Sequence, residues 1–176
     1  MSDATTDRAR VYALLASGFS YPDAASFAEM RSGRFGLALK RAGLPVVSPR
    51  PAETTLTLFQ AAWLHAFDEV CPPYEGNYRP PSERSALLIE VRAFYRHFGL
   101  SMAEGGELED HLAAELDFMR VLARGRASRR AQGDFLDRHL RSWLPRFAAD
   151  ARRRLSSPFF RGLAGLAAAF VAKDRP

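Results

Sequence analysis

Apolar residues recur at three- and four-residue steps along nearly the whole chain, the spacing of helices that bury one face. Residues 5–19 place Val11, Leu14, Leu15 and Phe19 on one stripe, with Thr or Asp available as a cap. "YPDAASFAEMRSG" predicts a second helix from Pro22 to Gly33, and "RFGLALKRAG" a short third. Residues 53–70 predict a long helix carrying Leu56, Phe59, Trp63, Phe67 and Val70, stopped by Pro72 and Pro73. A further helix runs from Ser82 or Ser85 to His97 or Phe98. "RGRASRRAQG" reads as a basic connector, and Phe135 to Leu155 as one helix kinked at Pro145. A last helix, capped at Ser156 or Ser157, repeats Phe159, Leu163, Leu166 and Phe170. Loops are expected where Pro and Gly cluster: Pro-rich segments at 44–52 and 71–82, and a Gly-rich hinge at 103–107. Alternating strand patterns are lacking, so the predicted fold is all-α, one bundle-like domain over residues 1–176 with about seven or eight helices.

One predicted helix carries unusual polar content. "LEDHLAAELDFM", residues 108–119, sets Leu108, Leu112, Leu116 and Met119 on one side, with a helix start at or near Leu108. At about 100° per residue, Glu115 falls within about 20° of that stripe and His111 about 60° from it. Phe118 lies just beyond His111, and Asp110 points away. Three readings stay open. His111 and Glu115, an i, i+4 pair with Asp110 or Glu107 nearby, resemble part of a metal site, but HExxH is absent. The acids can instead favour the helix macrodipole, with His111 flanking the core. Or the stretch forms a polar notch on a groove that binds something cationic and apolar.

Composition narrows the class. Hydrophobic residues make up 47% of 176 residues, which excludes extended disorder and supports one sizeable core. The single cysteine, Cys71, excludes an intramolecular disulfide framework and fits a reducing compartment. Asp3 and Asp7 occupy the region an export signal would make positive, and no window reaches the ~18 apolar residues of a membrane span. A cytoplasmic protein is therefore expected. GxGxxG, GxxxxGK[ST] and GxSxG are missing, and Cys71, followed by two prolines, has no evident His partner. The net charge is +5, but its distribution is uneven. From His97 to Met119 there are six acids and no Lys or Arg; from Arg120 to Arg154 there are eleven Arg against three Asp. The basic stretch lacks interleaved aromatics and any nucleic-acid motif, so no nucleic-acid partner is expected.

The order of segments resembles the TorD/DmsD branch of the TorD-like redox-enzyme maturation chaperones. The resemblance rests on "FSYP" closing the first helix, then "FQAAWLHAFDEVCPPYEGNY", "LIEVRAFYRHFGL", "LEDHLAAELDFMRVL" and "FLDRHLRSWLPRFAADAR". Within the fourth, D-H-L-x3-E-L-x-F-M is the most specific element; Glu109 stands where the family usually has Pro. The resemblance implies a TorD-like helical fold and a non-enzymatic cytoplasmic chaperone. It implies, as partner, the catalytic subunit of a molybdopterin-containing oxidoreductase, bound at its twin-arginine signal peptide and held back until its cofactor is inserted. It implies no cofactor or metal of the chaperone's own, no stable membrane insertion, and a monomer or a domain-swapped dimer.

Matching the family's binding determinants onto this chain selects Asp110 and His111, then Trp63 and Phe67, then Pro73, Tyr74 and Glu75. Arginines brought into a groove need paired acceptors. Asp110, Glu115 and Glu75 are the candidates to meet them, in a chain whose overall charge would otherwise repel a cationic peptide. Trp63, Phe67, Tyr74 and Phe118 are the candidates for its apolar side chains. The alternative is a metal- or nucleotide-dependent helical enzyme using Asp110, His111 and Glu115.

Overall fold

Several helices begin where a polar side chain takes up a free backbone N–H. The structure, a computed structural model, describes residues 3–44, 50–101, 108–125 and 127–176. Helix α1 is Asp3–Phe19. Helix α2, Ala24–Ser32, opens with a reciprocal cap between Asp23 and Ser26 and closes at Gly33, whose φ of 81° is open to glycine at little cost. Gly33 thereby turns the chain directly into α3, Arg34–Arg41. Helix α4, Leu56–Leu64, is capped by Thr55 and continues as a wider π-type turn, His65–Val70. The Cys71 N–H closes that turn on the Ala66 carbonyl at 2.9 Å, and Pro72 then ends it.

Two short 3₁₀ turns, Glu75–Tyr78 and Pro81–Glu83, lead into α5, Arg84–His97. Helix α6 is Leu112–Arg124 and α7 is Arg129–Arg138, the latter capped by Ser128. Helices α8, Leu140–Arg154, and α9, Pro158–Lys173, complete the described chain; Ser157 caps α9 and Pro158 occupies its first turn. Among the described residues there are thus nine α-helices, all-α as predicted and one or two more than the periodicity separates.

The differences have local causes. Helix α6 starts at Leu112, not near Leu108, because His111 keeps an extended backbone and caps it; Leu108 is left 55% exposed, outside the core. "SRRAQG" is no connector: Ser128 is a competent cap, and Arg129 to Gly133 form the first half of α7. The segment predicted as one helix over 135–155 runs through Pro145 but breaks at His139 (φ −113°, ψ −96°). The centre of the loop expected at 44–52 and the hinge expected at 103–107 lie outside the described residues.

Helix α1 packs chiefly on α6, and α8 on α9. Phenylalanines supply much of the core between them. Phe19, Phe67, Phe147, Phe59 and Phe160 form one chain of ring contacts, with centroids 5.0–6.4 Å apart. Tyr95, Phe118 and Phe135 form a second under α5 and α7. Burying each such ring contributes roughly 1.5–3 kcal/mol. The end of α9 is clasped to α1 by Asp174, which accepts from Arg8 at 2.6 and 2.8 Å and from the Tyr12 hydroxyl at 2.6 Å. No helix among the described residues is long and apolar enough to cross a membrane.

Gly18 lets α1 approach α9 and α3. A Cβ there would lie 2.9 Å from Leu163 Cδ1 and 3.3 Å from Phe35 Cζ, both buried. Overpacking of this kind costs about 1–3 kcal/mol, against a gain of up to about 1 kcal/mol in helix propensity. Gly18→Ala should therefore lower the urea midpoint; an unchanged or raised midpoint would show that the contact yields.

Candidate functional site

The loop after Pro72 is stitched to the turn that precedes α6. The Glu75 N–H donates to the Asp110 carbonyl at 2.9 Å and the Leu112 N–H to the Pro73 carbonyl at 2.8 Å, so Tyr74 and His111 pair as an isolated antiparallel bridge. Their rings meet edge to face at 4.9 Å. Glu109 is fixed from α5: Arg92 holds its carboxylate at 2.7 Å and the Tyr95 hydroxyl its carbonyl at 2.8 Å. Glu109, standing where the resemblance led us to expect proline, thus tightens the turn it occupies.

An extended backbone sends successive side chains to opposite sides. Accordingly His111, whose Nδ1 accepts the Ala113 N–H at 3.2 Å, lines a groove of about 490 Å³ between α1 and α6, beside Tyr21 and Asp117. Asp110 turns the other way, into a pocket of about 220 Å³ walled by Tyr74, Arg84, Leu88 and Leu108. Asp110 is only 4% exposed. Its Oδ2 accepts the Gly76 N–H at 2.9 Å, an approach that leaves no room for a Cβ at position 76. Its Oδ1 is buried and has no hydrogen-bond partner among the described residues. Burial pushes the Asp110 carboxyl above the usual aspartate range, and the Gly76 N–H only partly offsets this.

Glu75 and Glu115 lie on the inner side of the same loop. The buried Glu75 carboxylate accepts from Arg79 at 2.6 and 2.9 Å and from His139 Nδ1 at 2.9 Å. Burial works to raise its pKa, but the hydrogen bonds from His139 and Arg79 outweigh it and hold the group below the ordinary glutamate value. Glu115 is wholly enclosed and accepts the Trp143 Nε1–H at 3.2 Å. Burial, reinforced by the Glu75 carboxylate, pushes the Glu115 carboxyl well above the usual glutamate range.

The structure therefore brings Pro73, Tyr74, Glu75, Asp110, His111 and Glu115 together around one junction. It places three of the four aromatic candidates, Trp63, Phe67 and Phe118, elsewhere. Trp63 and Phe67 pack in the α4 core against each other, with Phe19 and Phe160 on Phe67; Phe118 is buried between Tyr95 and Phe135. Apolar wall facing Asp110 comes instead from Leu88 and Leu108. Sequence reasoning missed Arg79, His139, Ser142 and Trp143. Arg79 was within reach, since Glu75 and Arg79 have i, i+4 spacing. His139 pairs with Glu75 across 64 positions, which no spacing rule detects. Chemically, the junction holds one carboxylate that lines the pocket, Asp110, whose buried Oδ1 has no hydrogen-bond partner among the described residues. Among the described residues no group of three or more His, Cys, Asp or Glu side chains is placed to hold a metal ion.

Residues 34–149 match the model of the nitrate reductase delta subunit family. The chain is 39% identical to the perchlorate reductase assembly chaperone protein of Dechloromonas aromatica, over 96% of this chain and 88% of that one. It is 36% identical to the selenate reductase assembly chaperone protein of Thauera selenatis, over 83% and 75%. In fold it is similar to a crystal structure from Archaeoglobus fulgidus described as a redox enzyme maturation protein, with a TM-score of 0.66, 20% identity and 94% of each chain covered.

Proposed function

The chain belongs to the nitrate reductase delta subunit family, the TorD-like redox-enzyme maturation chaperones, and we propose that it is a non-catalytic assembly chaperone for a molybdopterin-containing reductase. In this reading it acts in the cytoplasm. It binds the twin-arginine signal peptide of the apo catalytic subunit and delays export until the cofactor is in place. The relatives named for perchlorate, selenate and chlorate reductases point to an oxyanion reductase as the client.

The observation that carries the peptide-binding part is the buried Asp110 carboxylate, whose Oδ1 has no partner among the described residues, in the lining of a pocket that also holds Tyr74, Leu88 and Leu108. A buried acceptor without a donor is costly in the free protein and is relieved by a ligand that brings a cationic N–H. The peptide's apolar residues then lie along Leu88, Leu108 and Tyr74, and His111 fixes the turn that aims Asp110.

The test is titration of a peptide carrying adjacent arginines and an apolar run against the wild-type protein and Asp110→Ala. A charged hydrogen bond contributes about 1.5–3 kcal/mol, so affinity should fall about tenfold or more. Unchanged affinity removes Asp110 from the site.

A further inference from the structure

Of Glu75, Asp110 and Glu115, only Asp110 lines the pocket beside Tyr74 and Leu108. Glu75 is enclosed by Arg79, His139 and Ser142, and Glu115 by Trp143 and the core; neither lines the pocket. Asp110 contributes one oxygen, because Oδ2 is already held by the Gly76 N–H. The Arg84 Nε donates to the Gly76 carbonyl at 2.8 Å, which sets a resident positive charge at the wall of the pocket. A second guanidinium would meet that charge, and among the described residues no second carboxylate lines the pocket. The volume, about 220 Å³, also falls below the ~300–1,000 Å³ of sites that enclose a whole drug-sized ligand. It suits one side chain.

Resting on the peptide-binding reading above, we propose that this pocket reads a single cationic side chain of the partner peptide. One arginine enters, donates to Asp110 Oδ1, and lays its methylenes against Leu88 and Leu108. The neighbouring arginine stays outside the pocket, and Glu75 and Glu115 hold neither. The two arginines of the pair are therefore unequal for this protein.

The experiment compares three synthetic peptides: one with two adjacent arginines and an apolar run, and two with either arginine replaced by alanine. Each is titrated against the full wild-type chain, Asp110→Asn and Leu108→Lys. With wild type, one replacement should weaken binding about tenfold or more, the value of one charged hydrogen bond. The other should cost no more than about twofold, within ordinary additivity. Both variants should abolish the difference between the two replaced peptides. Asn retains an acceptor for the Gly76 N–H, and Lys at the exposed position 108 leaves the core untouched while adding a competing cation at the mouth. Equal losses for the two replacements, or an inequality that persists in both variants, overturns the single-cation pocket. Failure of the parent peptide to bind wild type overturns the peptide-binding reading itself, and the pocket assignment with it.

Discussion

Glu75→Ala is expected to lower the unfolding free energy by about 3–5 kcal/mol, the cost of removing one member of a buried charge network. The carboxylate is fully buried and serves partners from two parts of the chain. Arg79 approaches from its own loop at 2.6 Å and His139 from the α7–α8 break at 2.9 Å. Truncation leaves His139, 1% exposed, with Glu90 at 3.6 Å as its one remaining ion-pair partner among the described residues. Arg79 retains the Arg138 carbonyl and the Ser142 hydroxyl, which limits the loss without cancelling it. At roughly 2–4 °C per kcal/mol for a chain of this size, the melting temperature should fall by about 6–20 °C. Glu75→Gln, which keeps the shape and one acceptor, should cost less than Ala. Thermal melts and urea titrations of both variants check this. A loss below about 1 kcal/mol for Glu75→Ala would mean that the network does not secure the loop. The variant also separates two kinds of acid: Glu75 holds the junction together, whereas Asp110 faces the pocket.

That separation marks the limit of what the sequence discloses. The stripe Leu112, Leu116, Met119 and Leu122 is legible from periodicity, and all four are buried. The start of α6 is not. Asp110 is as good a cap as any residue nearby, and the pairing of residues 110–112 with the loop after Pro72 keeps His111 extended and makes it the cap. That extension turns adjacent side chains to opposite sides, so Asp110 and His111 cannot share one face, as neighbours about 100° apart on a helix could nearly do. The aromatic residues show the same limit. Trp63 and Phe67 sit at helical spacing whether they line a groove or fill a core, and the Phe19, Phe147 and Phe160 rings that enclose Phe67 come from α1, α8 and α9. The break at His139 is set by a partner 64 residues earlier, whereas Pro145, the local breaker, is accommodated within α8. Local chemistry places the caps and the stripes; which carboxylate lines the pocket is decided by tertiary pairing.

Glu115→Gln should produce a protein whose stability advantage over wild type grows as pH rises. Glu115 is fully enclosed, and burial together with the Glu75 carboxylate raises its pKa well above the ordinary value, the Trp143 N–H opposing only in part. In the unfolded chain a glutamate titrates near about 4.3. Above that pH the folded wild type keeps a proton that the unfolded chain releases. Its stability therefore falls with rising pH, by about 1.4 kcal/mol per unit, until the folded carboxyl itself ionises. Glutamine has the same shape and no proton to lose. It accepts the Trp143 N–H through its carbonyl and presents an amide donor where the protonated acid faces Glu75. Below pH ~4.3 the two proteins should have similar stability. The lowered pKa of Glu75 removes stability from both as pH falls, so it cancels to first order in the difference. Urea titrations of wild type and Glu115→Gln from pH 4 to pH 8 read the effect directly. Diverging curves place a neutral acid beneath the loop that carries Glu75. Parallel curves would mean that Glu115 is ionised in the folded protein, and that the junction holds two buried negative charges side by side.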